Sequence, residues 1–208
     1  MTAFLLLVAY LLGSLSGSLL LGKLRGVDIR TLGSGNAGGT NALRTQGLAF
    51  ALGTVVVDVG KGVLAAWLAL RFLPPATDPA WAHACALAAV VGHVWPIFHG
   101  FRGGKGGATL VGGLAVIWPA GLLVVLAVWL LSLMLSGYVG LSTALAVLSL
   151  VPTALVTDAD AGRLMFAASA AVLLLYTHRS NLARLRAGTE PRSERARVLG
   201  RLLPRRGK

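Results

Sequence analysis

Glycine, asparagine, arginine and lysine are concentrated in three short segments of this chain, and these residue types are typical of anion binding. The first segment, residues 33–44, reads GSGNAGGTNALR and ends in Arg44. A glycine-rich backbone can direct several N–H groups toward one point, and such a concave nest binds phosphate. Arg44 adds a guanidinium that can donate two parallel hydrogen bonds to a phosphate. A flexible, turn-rich loop is the alternative interpretation, but the length and density of the pattern favour an anion site.

A second segment sets two cations among four glycines. Residues 102–107 read RGGKGG and lead directly into an apolar run that is long enough for a helix. The N–H groups and the positive dipole end at the start of a helix attract anions, so this segment also predicts a phosphate site. It is not a P-loop, because that motif needs glycine where His99 stands and Ser or Thr where Gly106 stands. The residues predicted to meet phosphate here are Gly103, Gly104, Lys105 and Gly106.

The third segment, residues 178–190, reads HRSNLARLRAGTE and follows the last apolar run. Basic residues just inside a membrane commonly serve as anchors, which accounts for most of its arginines. Anchoring does not account for His178 or Asn181, so these two are candidates for substrate contact. Because residues three and four positions apart share a helix face, Arg179, Asn181 and Arg184 are expected to face one pocket.

Two ions, Asp58 and Lys61, interrupt an otherwise apolar run in the sequence DVGKG. Each costs a few kcal/mol at the centre of a bilayer if it is unpaired. Their i, i+3 spacing allows a purely structural ion pair. Alternatively, Asp58 fixes an arginine or a loop of the site and Lys61 reaches a phosphate. His93 also has two interpretations, either a polar contact for the second segment or a histidine satisfied at a helix end.

The motifs that the sequence lacks narrow the reaction. It contains no H-x4-D pair, no G-x-S-x-G elbow and no H-E-x-x-H motif. The single cysteine, Cys85, cannot form an internal disulfide, the four histidines lack zinc spacing, and no carboxylate cluster is present to hold a metal. We therefore expect neither a metal nor a cofactor. An enzyme without an evident base needs an electrophile that is already activated, and a mixed carboxylic–phosphoric anhydride meets that need because phosphate is a good leaving group.

The three segments are connected by apolar runs that are long enough to span a bilayer. The chain of 208 residues is 56% hydrophobic and only 12% charged, whereas a soluble domain carries about 25% charged residues. A membrane-spanning helix needs about 20 apolar residues. The stretch from Ala108 to Val156 is expected to hold three short helices, broken near Trp118-Pro119 and Ser136-Gly137. The other predicted spans are Ala3–Gly22, Leu48–Leu73, Pro79–Phe98 and Gly162–Tyr176.

The positions of the basic residues orient these spans. Lys and Arg collect on the cytoplasmic side of membrane proteins, and 10 of the 19 in this chain follow residue 178. Placing the first loop, the loop at Arg102 and this tail on one side requires an odd number of spans. We predict an all-α polytopic membrane protein with seven short helices, the N-terminus outside and the C-terminus cytoplasmic, so that all three segments face the cytoplasm. The net charge of +12 has the same explanation, so we expect membrane lipids as partners and no nucleic acid.

Four motifs together resemble one enzyme family. GSGNAGGTNALR, DVGKG, GHVWPIFHGFRGGKGGAT and HRSNLARLRAGTE, in this order over residues 33–190, are similar to those of the bacterial acyl-phosphate:glycerol-3-phosphate acyltransferases, the PlsY family. The resemblance implies seven transmembrane helices in the bacterial inner membrane and a cytoplasmic active site. It also implies transfer of a fatty acyl group from acyl phosphate to the 1-hydroxyl of sn-glycerol 3-phosphate, which gives lysophosphatidic acid and phosphate. We expect a functional monomer with a catalytic transmembrane domain over residues 1–178 and a basic cytoplasmic segment over residues 179–208.

The resemblance also implies roles for individual residues. Those expected to contact glycerol 3-phosphate are Ser34, Arg44, Lys105, His178 and Asn181. Those expected to hold the head of acyl phosphate are Gly35, Asn36, Gly38, Thr40 and Asn41. The chain departs from the family pattern at Gly39, Gly107 and Gly140. Where the family has Tyr-Val-Ser-x-x-Ser, this chain reads Tyr-Val-Gly-Leu-Ser-Thr, so Thr143 is expected to supply the second hydroxyl.

Three other interpretations stay open. Ser34 could be a nucleophile that forms an acyl-enzyme, although no histidine or lysine is placed by the sequence to activate it. A transporter of organic phosphates would use the same anion-binding segments, although transporters usually show inverted repeats and none is found here. A lipid-binding scaffold with an electrostatic tail would leave the glycine-rich segments unexplained.

Overall fold

The computed structural model describes residues 1–157 and 160–202, and the regular elements within these residues are all helices. The all-α prediction is therefore confirmed. The α-helices are α1 (Thr2–Gly13), α2 (Gly17–Leu24), α3 (Gly39–Gln46), α4 (Leu48–Phe72), α5 (Ala80–Val94), α6 (Gly107–Ile117), α7 (Pro119–Ser136), α8 (Val139–Leu148), α9 (Leu150–Val156), α10 (Ala161–Thr177) and α11 (Arg179–Arg186). Short 3₁₀ turns occur at Ile29–Thr31, Ile97–His99 and Leu199–Arg201.

Four helical stretches in the described part of the chain are long and apolar enough to cross a membrane, and there are up to six if each of two bent pairs counts as one span. The four are Leu48–Phe72, Ala80–His99, Pro119–Ser136 and Val139–Val156. The bent pairs are α1 with α2, at 47°, and α10 with α11, at 57°. Helix α6 is apolar but has only 11 residues. These helices agree with a polytopic membrane protein, and the count of seven spans stays a prediction.

Proline and glycine set the helix breaks that the sequence predicts. Pro119 is the first residue of α7, where its missing N–H costs nothing. Gly137 ends that helix with a φ of +77°, the left-handed conformation that glycine adopts readily. Both breaks predicted within residues 108–156 are confirmed. The bend in the first span, between α1 and α2, is not predicted; there the N–H of Gly17 donates to Asp58 Oδ1 at 3.1 Å instead of continuing the helix.

The chain divides into two compact units. Unit 1 is Met1–Pro119 with Asp160–Phe166, and unit 2 is Ala120–Ala159 with Ala167–Lys208. Unit 1 contains the first and second segments, and unit 2 contains the third. Neither unit ends at residue 178, and the division into a catalytic part and a basic tail at that residue stays a prediction.

Unit 1 packs its helices through glycine. A Cβ at any of four helical glycines would collide with the backbone of a neighbouring helix, so α1 with α5 and α4 with α6 approach at backbone-contact distance. Small residues allow this close packing in lipid. The contacts are Gly13 on Ala89, Gly92 on Tyr10, Gly62 on Thr109 and Gly112 on Val59.

In unit 2 the residues after α11 fold back onto the turn between α7 and α8. The N–H of Ser193 donates to Gly137 O at 2.8 Å, and Arg192 Nε donates to Ser136 O at 2.9 Å. The Arg192 guanidinium also lies over the Tyr138 ring, 5.3 Å from its centre. Arg192 thus holds this part of the tail against the turn.

Candidate active site

The first segment is half loop and half helix. Residues 33–38 turn, and α3 begins at Gly39. Half of the segment is helical in spite of its glycines, because packing stabilises short helices that propensity alone would not. Asn41 and Ala42 are buried, and α3 lies against α4.

Asn41 shapes the turn before α3. Its Oδ1 accepts from the N–H of Ser34 at 2.9 Å. Its Nδ2 donates to Ile29 O at 3.2 Å and to Leu32 O at 3.0 Å. Only 2% of Asn41 is exposed, so its amide holds the loop in shape. Contact of this amide with acyl phosphate stays a prediction, whereas Ser34 itself is exposed.

Two helices of unit 1 begin at the ends of the glycine-rich segments. The residue before α3 is Gly38 and the residue before α6 is Gly106, and neither helix has a side-chain cap on its first N–H groups. Such N–H groups have no partner within the helix, and the dipole makes this end positive. Each helix start is therefore suited to a phosphate. Arg44 and Thr40 are exposed on α3 and Lys105 is half-buried just before α6.

The first and second segments meet. A Cβ at Gly104 would lie 3.0 Å from Ala37 O and would collide with His93 Nε2. The N–H groups of Gly103 and Gly104 donate to Val94 O and His93 O, each at 3.1 Å. The glycines predicted for phosphate contact thus also let the two segments approach, which side chains at these positions would prevent.

Arg30 connects the loop before the first segment with the loop before the second. Its Nη1 donates to His99 O at 2.9 Å and to Arg102 O at 3.2 Å, and its Nη2 pairs with Asp28 Oδ2 at 2.8 Å. The hydrogen bonds from the Arg30 side chain and backbone N–H lower the pKa of Asp28 to about 2. The same carboxylate raises the pKa of Arg30. Sequence reasoning used Arg30 only for topology, and a lone arginine in a loop gives no signal of this role.

The ions predicted within the membrane are paired. Lys61 Nζ lies 2.9 Å from Asp58 Oδ1, which confirms the pair that the spacing allows. His93 joins them, with Nδ1 at 2.7 Å from Lys61 Nζ and 3.4 Å from Asp58 Oδ1. Both interpretations of His93 therefore hold. Its Nδ1 has polar partners at the end of α5, and the residue also contacts the second segment at Gly104.

In unit 2, Glu190 organises the third segment. Its Oε1 accepts from Asn181 Nδ2 at 2.6 Å, and its Oε2 accepts from Arg184 Nε at 2.8 Å. Only 6% of the Glu190 side chain is exposed. His178 is also buried, and its Nδ1 donates to Leu174 O at 2.8 Å. With that proton on Nδ1, Nε2 is an acceptor when the ring is neutral. When the ring is protonated, Nε2 becomes a donor suited to phosphate. Glu190 was not identified from the sequence as a functional candidate. The one feature of the sequence that distinguishes it is that it is an acidic residue at the end of a basic segment.

One expectation for unit 2 changes, and a second stays a prediction. Arg179 does not share a pocket with Asn181 and Arg184, because it donates to Tyr176 O at 2.8 Å and lies over the Tyr176 ring, 4.1 Å from its centre. The hydroxyl of Thr143 donates to the backbone at Val139 and accepts from the Trp129 indole at 3.3 Å, so its contact with substrate stays a prediction.

The departure at Gly140 has a clear structural counterpart. A Cβ at this position would lie only 2.7 Å from Asn181 Cβ and 2.8 Å from Asn181 Nδ2. The side chain of Asn181 therefore occupies space that a serine at position 140 would need.

Comparison with known proteins agrees with these features. The family model described as glycerol-3-phosphate acyltransferase matches residues 3–188. A glycerol-3-phosphate acyltransferase of Chlorobaculum tepidum is 37% identical over 90% of this chain and 94% of its own length. One from Synechococcus sp. is 41% identical over 90% of this chain and 93% of its own length.

Solved structures show the same fold. A crystal structure of PlsY (YgiH), an integral membrane glycerol 3-phosphate acyltransferase in its glycerol 3-phosphate form, aligns with a TM-score of 0.87 and 35% identity over 95% of this chain and 98% of its own. Its lysophosphatidic acid form aligns with a TM-score of 0.86 and 34% identity over the same shares. This chain is a multi-pass membrane protein that belongs to the glycerol-3-phosphate acyltransferase family.

Proposed function

We propose that this protein transfers a fatty acyl group from acyl phosphate to the 1-hydroxyl of sn-glycerol 3-phosphate and releases lysophosphatidic acid and phosphate. The observation that carries the proposal is the meeting of two glycine-rich segments at Gly104 and Ala37, each leading into a helix start without a side-chain cap. Both the proposed acceptor and the proposed donor carry a phosphate, so two adjacent anion sites are what the reaction needs. The PlsY relatives solved with glycerol 3-phosphate and with lysophosphatidic acid support the acceptor and the product.

The electrostatic task of such a site is to bring two phosphates together. Two unit charges about 4 Å apart interact by about 4 kcal/mol at an effective dielectric constant of about 20. Arg44, Lys105 and the N–H groups at the starts of α3 and α6 offset that repulsion. Because these donors are fixed before substrate binds, they also stabilise the oxyanion that forms on the acyl carbon.

The proposed reaction is one displacement without an acyl-enzyme. The acceptor hydroxyl oxygen attacks the acyl carbon, the bond from that carbon to the phosphate oxygen breaks, and phosphate leaves with the electron pair. A phosphate oxygen takes the hydroxyl proton, since phosphate monoesters titrate near pH 6. Ser34 then binds substrate through an exposed hydroxyl, and isolation of an acylated Ser34 would instead favour the nucleophile interpretation. For His178 and Asn181, contact with glycerol 3-phosphate is proposed from the sequence resemblance.

We place the protein in the bacterial inner membrane, with seven spans, the N-terminus outside and the active site at the cytoplasmic face. The supporting observation is the concentration of Lys and Arg in the first loop, the second segment and the tail, with 10 of 19 after residue 178. The acyl chain would lie among lipid tails while both phosphates stay at the aqueous face. We expect the monomer to be the functional unit.

Phosphate release by the purified protein tests the reaction. We expect release only when acyl phosphate and glycerol 3-phosphate are both present, and none when acyl-CoA replaces acyl phosphate. Uptake of glycerol 3-phosphate into protein-containing vesicles without phosphate release would support the transporter instead.

Two substitutions test the site. Lys105→Ala and Arg44→Ala each remove one fixed cation, so we expect a loss of at least about 100-fold in turnover, the size seen when one transition-state donor is removed. Arg71→Ala is the matched control, because Arg71 is at the far end of α4 and contacts Phe72, and it should retain full activity. Wild-type turnover by the Lys105→Ala protein would remove Lys105 from the site.

A further inference from the structure

Three ionisable residues of unit 1 form one buried cluster next to the second segment. The exposed fractions of Asp58, Lys61 and His93 are 1%, 5% and 3%, so none of them presents a charged atom to a soluble substrate. Charged side chains within a membrane helix carry a desolvation penalty that apolar replacements would avoid. The cluster therefore needs an explanation beyond mutual pairing.

The cluster fixes the position and the tautomer of His93. Lys61 Nζ carries three protons, and three acceptors surround it: Asp58 Oδ1 at 2.9 Å, Leu15 O at 2.7 Å and His93 Nδ1 at 2.7 Å. Because an ammonium only donates, Nδ1 of His93 accepts and the neutral ring carries its proton on Nε2. Asp58 Oδ1 is held in turn by the N–H of Gly17 at 3.1 Å.

The other edge of the His93 ring reaches the second segment. Nε2 lies so close to Gly104 that a Cβ there would collide with it, and Ala37 O of the first segment lies 3.0 Å from the same point. The backbone of His93 is bound to this segment as well, because its O accepts from the N–H of Gly104 at 3.1 Å. The place of Gly104, and with it of the adjacent Lys105, therefore depends on where the imidazole lies.

We propose that Asp58, Lys61 and His93 act as one positioning unit that fixes residues 103–106 against the first segment. Its effect is to hold Lys105 and the N–H groups at the start of α6 where the substrate phosphate binds. This inference rests on the proposed function, since it requires that the second segment binds substrate. A displacement of about 1 Å in a substrate-holding group can lower a rate by about 100-fold, so the unit is expected to act on kinetics as well as on stability.

The decisive variant is the double substitution Asp58→Asn with Lys61→Met, which removes both charges and keeps similar volume. Because no unpaired ion is left, the protein should fold and elute as the wild type does. His93 then loses the donor that fixes it. We expect the KM for glycerol 3-phosphate to rise by about 10-fold or more and kcat to fall by about 10- to 100-fold. The control is Thr54→Val, which changes a buried polar residue of the same helix whose hydroxyl donates to Phe50 O at 2.9 Å, and its kcat and KM should match the wild type.

A second variant decides the matter if the double variant does not fold. His93→Asn keeps an acceptor near Lys61 Nζ and loses the ring edge at Gly104. It should therefore keep the melting temperature within a few degrees while showing the same change in KM and kcat. A purely structural cluster would lower the melting temperature and leave the kinetic constants of the folded protein unchanged, and that result in both folded variants would overturn the proposal.

The wild type, assayed first, separates this inference from the proposed function. If wild-type protein releases no phosphate from acyl phosphate and glycerol 3-phosphate, the proposed reaction fails. If the wild type is active and the folded variants keep its kcat and KM within about 2-fold, well short of the 100-fold that misplacement causes, only the positioning role fails.

Discussion

Asn41 in unit 1 and Asn181 in unit 2 are both predicted to meet substrate, yet their amides are held by different kinds of partner. The side chain of Asn41 binds three backbone groups and is 2% exposed. Asn181 is only half-buried, and its side chain donates to the carboxylate of Glu190. The first arrangement fixes the course of a loop, whereas the second orients a side chain on a helix.

The glycines beside these residues differ in the same way. At Gly104 an added Cβ would meet the backbone oxygen of Ala37 and a ring that is itself bound to Lys61. At Gly140 the three nearest atoms all belong to the side chain of Asn181, and the nearest is its Cβ. The first contact involves the backbone of a loop and a buried ring, whereas a slight shift of the helix that carries Asn181 can relieve the second. Unit 1 should therefore respond to substitution by losing the geometry of its loops, and unit 2 by a graded change in activity.

Asn41→Ala should give the largest effect among the variants that sharpen this comparison. It leaves the N–H of Ser34 without this acceptor, and a group left unpaired costs about 1–3 kcal/mol. It also removes one of the two hydrogen bonds that Ile29 O and Leu32 O each accept, since Leu32 N–H and Gly35 N–H remain as their other donors. We expect the melting temperature to fall by at least about 8 °C, since about 1 kcal/mol corresponds to a shift of about 2–4 °C at this size, and turnover to fall below detection.

Thr45→Val is the matched control for that variant, because Thr45 is on the same helix and its hydroxyl donates to Asn41 O at 2.9 Å. It should change both quantities little. If the Asn41→Ala protein keeps its melting temperature and turnover, the amide does not hold the loop, and the contrast between the two asparagines disappears.

Gly140→Ala should give a smaller effect, confined to activity. The new Cβ would lie 2.7 Å from Asn181 Cβ. Rotation of the side chain does not move that atom, so the start of α11 must shift slightly and carry Asn181 with it. We expect kcat/KM to fall by roughly 3- to 10-fold, or about 1 kcal/mol in transition-state binding. Stability should change by less, because alanine in a helix is better than glycine by about 0.5–1 kcal/mol, which offsets the crowding.

A double-mutant cycle sharpens this test. In an Asn181→Gly protein with measurable residual turnover, Gly140→Ala should cause no further loss, because the Cβ, Cγ and Nδ2 atoms that the new methyl group would meet are gone and the two effects are not additive. Equal losses in both backgrounds would mean that position 140 acts through another group.

The sequence predicts those features that depend on residues close in the chain. Pro119 and Gly137 break helices locally, and the i, i+3 spacing of Asp58 and Lys61 is enough to pair them, as the structure confirms. The contact of His93 with this pair depends on how α4 packs against α5, and no local sequence pattern predicts that packing. The helix that begins at Gly39 is not evident from local sequence either, because burial of Asn41 against neighbouring elements outweighs the glycines around it.

Substitution of Asp28 should give the smallest effect. Asp28 and Arg30 form an exposed ion pair, in contrast to the buried pair of Asp58 and Lys61. Its folded-state pKa of about 2 is below the ordinary 3.8, so the ion pair with Arg30 stabilises the folded protein above about pH 4, and this stabilisation is lost as the pH falls through about 2. Since 42% of the Asp28 side chain is exposed, solvent screens the pair and limits its contribution to less than about 1 kcal/mol. Asp28→Asn should lower the melting temperature slightly at pH 6, and the difference from the wild type should shrink at pH 2.5 and in high salt. Arg30 would still donate to His99 O and Arg102 O, so the activity of Asp28→Asn at pH 7 should stay close to that of the wild type. A large loss of activity would mean that Asp28, and not the backbone carbonyls, keeps Arg30 between the two loops.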